Sequence, residues 1–513
     1  MYCHDCQNRV RNSLSSYPLP MTDPIWQSPP NPINQILAAS PNPKASLSPN
    51  DDWLVEMERP TLCPIAELAE PEVAIAGFRI NPITATSTRV NPYRRLWITE
   101  VATGNRRPVA LPPSARLSHL HWSPDGNMLA FVISAPPGTT EATGVELWVM
   151  QLAAGKPWQV TEAILNGTYG APYRWQSNEA FLCKVIPRDR GTVPLAPVVP
   201  LHPMIQENLG RKTPSPTFTN LLQSPHDEAL FEHYITSTLE QITLTGERTP
   251  LVPASLISQA IASPDRAYIL LETIQRPFSY HVPSARFPKQ IQVLDTQGNL
   301  VYTVADSPLD DQRSIKFDAV RPGRRGVDWR SDRPATLYWL EALDGGDPAQ
   351  VVEHRDVLFC LDAPFTAEPQ VLWRSQYRFR RIRWGREDVA LTWEQEYDSR
   401  RSRLWRIFPN QPTTLPTLLV ERSTEDRYRN PGMPFLTAGD YDRNVLRFTP
   451  DGQSIYMSGQ GASPQGIHPF LDRTAKATGQ TQRLWQCQDP YFESISRSQI
   501  APKKDRVRLK ALR

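Results

Sequence analysis

The chain has 513 residues, 40% hydrophobic and 21% charged, with a formal net charge of +3 at pH 7. Both signs are interspersed, so neither a nucleic-acid nor a membrane-surface partner is implied, and no apolar run approaches the length of a membrane-spanning helix. Proline is the outlier at 52 residues, about twice its usual share; because an interior proline removes a donor and clashes with the preceding turn, this composition excludes a fold of long helices and favours short strands with many turns.

Residues 1–40 are polar and rich in Pro, Asn and Ser, and are expected to be disordered. The start, Met1-Tyr2-Cys3-His4-Asp5-Cys6, lacks the basic region and apolar run of a secretory signal. Cys3 and Cys6 form a C-x-x-C pair with no second pair at zinc-finger spacing, so no metal site is expected there. The six cysteines are scattered along the chain and read as reduced thiols of a cytoplasmic protein.

From residue 41 to 495 one pattern recurs seven times: a Ser-Pro-Asp-Gly-like turn followed by a strand. The copies are LSPNDDWLVEM (47–57), WSPDGNMLAFV (122–132), WQSNEAFLCKV (175–185), ASPDRAYILLE (262–272), WRSDRPATLYWLE (329–341), WGREDVALTWE (384–394) and FTPDGQSIYMS (448–458). Proline presets φ while Asp and Gly accept the tight turn, and the strands are rich in residues that fit a pleated, half-buried surface. A further strand and polar turn follow most copies, as in LWITEVATG (96–104), LWVMQLAAG (147–155), IQVLDTQG (291–298) and LWRIFPN (404–410). The turns average about 67 residues apart, more than the usual blade period of about 40–50, so long connecting loops are expected. Radial repetition of four-stranded blades hides so many edges. The expected fold is all-β: an about seven-bladed β-propeller over 41–495, its closure left open. One small helical insertion is expected at about 200–240, with a helix over 217–239 preceded by a Pro-rich loop. It reads as a lid or docking element, or more simply as a decoration packed on a blade.

The chain offers little chemistry of its own. No G-x-S-x-G elbow is present; the nearest match, 461–466, places Pro464 after Ser463, and proline has no N–H to give an oxyanion hole. No H-E-x-x-H or phosphate loop occurs, His119 and His121 are expected beside or on a blade strand, and Asp344-Gly345-Gly346-Asp347 reads as a turn. No catalytic residue, metal or cofactor is assigned. Two arginine clusters stand out: Arg378, Arg380, Arg381 and Arg383, then Arg400, Arg401, Arg403 and Arg406. Guanidinium groups match carboxylates bidentately; the plainer reading puts them on the solvated face of outer strands.

The segment ERPTLCPIAELAEPEVAIAGFRIN (58–81) resembles the N-terminal signature of glutamyl endopeptidases of cyanobacteria and chloroplasts, members of the prolyl-oligopeptidase clan. QRPFSYHVPSARFPKQIQVL (275–294), DWRSDRPATLYWLEALDGGD (328–347), RSTEDRYRNPG (422–432), SGQGASPQGIHPFLDR (458–473) and WQCQDPYFESI (485–495) extend the resemblance in order. It implies a propeller that caps a C-terminal α/β-hydrolase domain, with peptides cleaved after acidic residues between the two. The likeness fades near Ser496, and the basic tail 496–513 does not continue it. No triad residue therefore transfers, and the chain is expected to be inactive alone. The family has one more strand repeat, which leaves ring closure open. The rival readings are a free-standing scaffold for a peptide or protein partner, and a subunit of a split peptidase whose hydrolase domain docks in trans. A glutamate buried between domains needs a paired cation, and Arg400, Arg401 or Arg59 is expected to face the cavity.

Overall fold

The recurring turn works the same way wherever its polar residues are kept. The Ser123 hydroxyl donates to Asp125 (2.6 Å) and accepts from the Met128 N–H (2.9 Å). Ser263 does the same with Asp265 and Tyr268, and Thr449 with Asp451 and Ser454. The turn closes on a left-handed residue, glycine at Gly126 and Gly452 but Arg266 in the fourth copy, at φ +69°. A left-handed arginine carries a backbone cost.

The computed structural model describes residues 29–88, 91–141, 143–197, 218–386 and 389–495. Its strands form seven successive four-stranded antiparallel sheets, the blades. Blade 1 comprises Lys44–Leu47, Trp53–Glu58, Arg95–Glu100 and Arg106–Pro108; blade 2 comprises Arg116–Trp122, Met128–Ser134, Glu146–Gln151 and Lys156–Gln159. Blade 3 comprises Tyr173–Trp175, Ala180–Val185, Ser237–Thr243 and Arg248–Ser255; blade 4 comprises Ile257–Ala262, Tyr268–Ile274, Lys289–Asp295 and Leu300–Ser307. Blade 5 comprises Arg325–Trp329, Thr336–Ala342, Asp356–Asp362 and Gln370–Ser375; blade 6 comprises Arg378–Trp384, Ala390–Glu396, Arg401–Ile407 and Thr417–Ser423. Blade 7 comprises Met433–Pro434, Ser454–Gly459, Phe470–Ala475 and Thr481–Gln486. Each of the seven repeat copies is a turn with the second strand of one blade. The chain is a seven-bladed β-propeller.

Buried apolar clusters join each blade to the next from 1 through 7. The repeated tryptophan at the end of the innermost strand reaches back one blade: Trp122 donates to Ser46, Trp175 to the His121 carbonyl and Trp329 to the Ile261 carbonyl. Among the described residues, no strand from the N-terminal part joins blade 7. Blades 7 and 1 meet across an Arg447–Asp51 pair at 3.5 Å, and among the described residues no apolar cluster spans that seam.

Three expectations need adjusting. The helix expected over 217–239 is shorter, Pro225–Ile235, capped by the Ser224 side chain accepting from the Asp227 N–H with proline in its first turn. Residues 237–243 instead form a strand against Ala180–Val185, because Ser237-Thr238-Leu239 alternates in and out of the core. Within the segment expected to be disordered, 1–28 lie outside the described residues, while Ile33–Ala38 form a short helix with no buried residue. Arg378, Arg380, Arg381 and Arg383 lie on the innermost strand of blade 6, not on an outer one. Arg378 is 1% exposed and bridges Asp356 (2.6 Å) and Asp344 (2.5 Å). A buried guanidinium held by two carboxylates welds blade 6 to blade 5.

Candidate functional site: the axial channel and its crown

The innermost strands line two half-enclosed cavities along the propeller axis. One, of about 900 Å³, lies where those strands begin; the other, of about 930 Å³, lies where they end at the Ser-Pro turns.

A crown overhangs the first cavity. Between the second and third strands of blade 1, residues 59–94 carry a helical turn, Ile65–Leu68, and a three-stranded sheet of Val73–Ile75, Phe78–Asn81 and Thr86–Ser87. The corresponding insertions of blade 3, with helix Pro225–Ile235, and of blade 4, around Phe278 and Phe287, pack against it. Ile75, Phe231, Ile235, Phe278, Val282 and Phe287 form a buried core separate from those between blades. Gly77 shows how close the approach is: at φ +95°, a Cβ there would sit 2.3 Å from the Pro283 Cβ. Two family-like segments, 58–81 and 275–294, thus meet in one structure although more than 190 positions separate them.

Beneath the crown the acids are already paired: Glu67 with Arg94, Glu70 with Arg116 and Glu72 with Arg79. Two further cations line the cavity without a carboxylate partner among the described residues, Lys44 and Arg59. Arg59 donates to the Tyr93 hydroxyl (3.1 Å) and lies over its ring, 4.4 Å from the centroid. His119 and His121 are on the innermost strand of blade 2, at a bulge where His119 takes φ +51°. Burial, followed by the neighbouring His121 and Lys184, pushes the His119 imidazole down to about 4, so it is neutral at physiological pH.

The second cavity is crossed by a hairpin. The innermost strand of blade 7 is interrupted after Pro434 by a two-stranded excursion, Leu436–Ala438 with Asn444–Leu446, and resumes at Phe448, which bridges to Ile455. The hairpin reaches blade 4, three blades away. Asp442 pairs with Arg266 (2.7 Å) and Arg443 donates to the Ala262 carbonyl (2.7 Å). The arginine in the glycine position of the fourth turn therefore has a use. Part-buried Asp328, on the innermost strand of blade 5, has its carboxyl raised by burial, opposed in part by Arg443 and Arg174.

Of the three arginines expected to face the cavity, the structure brings only Arg59 to one. Arg400 and Arg401 lie at the start of the third strand of blade 6, line neither axial cavity, and pair with Glu425 (3.5 Å) and Glu421 (3.7 Å). Ser463 sits in a small hairpin, Ala462–Ser463 with Gly466–Ile467, not on a strand-to-helix elbow. Its hydroxyl donates to the Gly466 carbonyl and accepts from the Gln465 N–H. Asp344 closes a turn by accepting from the Gly346 N–H (2.9 Å). Sequence reasoning missed Lys184 and Arg174, although a lysine inside the apolar run of 180–185 was a readable signal.

Against known proteins, the chain is 33% identical over 485 residues to a "Probable glutamyl endopeptidase, chloroplastic" of Oryza sativa subsp. japonica, an alignment covering 92% of this chain and 52% of that one. The Arabidopsis thaliana protein of the same name gives 33% over 485 residues, 92% of this chain and 50% of that one. The chain is similar to the propeller portion of glutamyl endopeptidases. It spans about half the length of these curated relatives. No family model matches it. Among solved structures, a prolyl endopeptidase aligns over 89% of this chain and 51% of its own at 12% identity and TM-score 0.44. The β-propeller domain of the Trilobed protease from Pyrococcus furiosus aligns over 88% and 99% at 12% identity and TM-score 0.40. The alignments with the plant proteins cover most of this chain.

Proposed function

We propose that this chain is the non-catalytic propeller portion of a glutamyl-endopeptidase-like serine peptidase, and that it admits and orients acidic peptides for cleavage by a hydrolase domain. The observation that carries this reading is the colinear similarity of 485 residues to half of two glutamyl endopeptidases. The channel chemistry agrees with it. The acids beneath the crown are neutralised by neighbours, while Lys44 and Arg59 remain to meet a carboxylate. A cavity lined by one sign of free charge attracts ligands of the other.

The described cysteines are free thiols, Cys63 exposed and Cys183, Cys360 and Cys487 buried. They suit a reducing compartment, and the cytoplasm is the proposed one. No helix among the described residues is long and apolar enough to cross a membrane.

The test uses two fluorescein-labelled peptides that differ only in Glu or Gln. The purified chain should bind the Glu peptide about tenfold more tightly at low salt, a difference of about 1.4 kcal/mol. Arg59→Ala should weaken that preference, whereas Arg400→Ala and Arg401→Ala should leave it intact. Equal affinity for the two peptides overturns the substrate reading. A fluorophosphonate serine probe should leave the chain unlabelled; stoichiometric labelling overturns the assignment as a non-catalytic portion.

A further inference from the structure

Between blades 3 and 4 a side cavity of about 130 Å³ opens off the larger one beneath the crown; Gly170, Ala171 and Pro172 line both. Its charged wall is Lys184, on the second strand of blade 3, whose side chain is among the most deeply buried cations of the chain at 5% exposure. The ammonium group donates to the Tyr169 carbonyl. No carboxylate pairs with it among the described residues. The acids nearby are committed elsewhere: Glu240 holds Arg248 through two bonds of 2.7 and 2.9 Å, and Glu272 holds Lys289 and the Ser258 hydroxyl, both at 2.6 Å. The charged neighbour on the innermost strand of blade 3 is Arg174, which also lines the cavity and is also positive.

A buried ammonium is costly unless an anion meets it. Here the protein sets two cations, the buried Lys184 and the exposed Arg174, around one cavity. That cavity has the volume of about four water molecules at about 30 Å³ each, enough for a carboxyethyl group. Glycine keeps it reachable. Gly170 has φ +73°, and a Cβ there would lie 3.3 Å from the Ser258 carbonyl oxygen and 3.8 Å from the Lys184 Nζ. Any side chain at 170 would narrow the passage from the channel to the amine.

We propose that Lys184, assisted by Arg174, forms a pocket for an acidic side chain, receiving the carboxylate of a Glu or Asp whose backbone stays in the axial channel. This deepens the proposed function and rests on it only for the identity of the ligand as a peptide. Arg59 would then act at the cavity beneath the crown, while Lys184 fixes one carboxylate in the wall between two blades.

The experiment titrates the purified chain with glutarate and with its neutral twin glutaramide by calorimetry, and then with the Glu and Gln peptides. Glutarate should bind and glutaramide should not. Lys184→Met, which keeps most of the length of the side chain without its charge, should raise the glutarate Kd at least tenfold. Gly170→Ala, which leaves both cations in place, should weaken glutarate binding in the same direction; circular dichroism confirms that each variant is folded. Unchanged glutarate affinity in Lys184→Met, or no glutarate binding by the wild type, overturns the pocket. If glutarate binding depends on Lys184 while the Glu and Gln peptides bind equally, the pocket stands and the acidic-peptide reading fails.

Discussion

Where the innermost strands begin, the crown ties blades 1, 3 and 4 together through buried aromatic and aliphatic side chains. Where they end, the blade 7 hairpin reaches blade 4, among the described residues, through one ion pair and one side-chain-to-backbone hydrogen bond. The two spans cover comparable openings with different materials. Apolar burial is strong and non-directional, and salt does not screen it. An exposed ion pair contributes about 0–1 kcal/mol and weakens as salt rises. The crown is therefore a fixed part of the fold, and the hairpin is the end of the channel that can be loosened without unfolding the propeller.

The largest effect should come from breaking the crown. Phe231 is fully buried and stacks edge-on against Phe78, Phe278 and Phe287. Phe231→Ala should cost about 3–5 kcal/mol, read by urea denaturation, and amide exchange should accelerate in 73–81 and 275–288 before the blades. A loss under about 1 kcal/mol would mean that the crown closes the channel no more firmly than the hairpin does.

A smaller, pH-dependent effect should mark the crown end through Lys184, whose ammonium is pushed down from 10.5 to about 7 by burial and then by Arg174. Between those values the unfolded chain binds a proton that the folded chain does not, so stability rises with pH from about 7 to about 10.5. Below about 7 both states are protonated and the full penalty is present. Lys184→Met should flatten that rise relative to wild type in thermal melts across this window. Parallel pH profiles in the two proteins would show that the amine is solvated.

The smallest effect on stability should come from the hairpin. Arg266→Ala or Asp442→Ala should change the unfolding free energy by no more than about 1 kcal/mol. Exchange of the amides in 436–446 should nonetheless accelerate several-fold, and 1 M salt should do the same to wild type. Unchanged exchange would place the hold on the hairpin elsewhere, in Arg443 or in the packing of Leu436 and Leu446 against Val389 and Leu391 of blade 6.

The blades were legible because their signal is local. A Ser or Thr whose hydroxyl caps its own turn, a proline after it and an Asp two residues on, as at Ser123, Ser263 and Thr449, define a hairpin whatever surrounds it, and seven recurring turn-and-strand units imply radial packing. The shortened helix was half legible: Ser224-Pro225 marks its start, but its end depends on strand 237–243 having a partner in 180–185. The arginines misled for a related reason. Strand alternation gives the face on which a side chain lies but not the rank of its strand within the blade. Arg378 thus reads as outward although Asp344 and Asp356 enclose it, and Arg400 or Arg401 as cavity-facing although they pair with Glu425 and Glu421.

The sequence by itself determined the number of blades, the turn chemistry, the lack of an elbow around Ser463 and the kinship with glutamyl endopeptidases. Each is written in contiguous residues. Only the tertiary structure decided that insertions of three blades share one core over the channel. It alone decided that Arg266 faces Asp442 across the ring, and that Lys184 meets a cavity while Cys183 and Val185 on either side of it enter the apolar core. Those relations join residues tens to hundreds of positions apart, and their energies come from burial and charge pairing that exist only once the ring has formed.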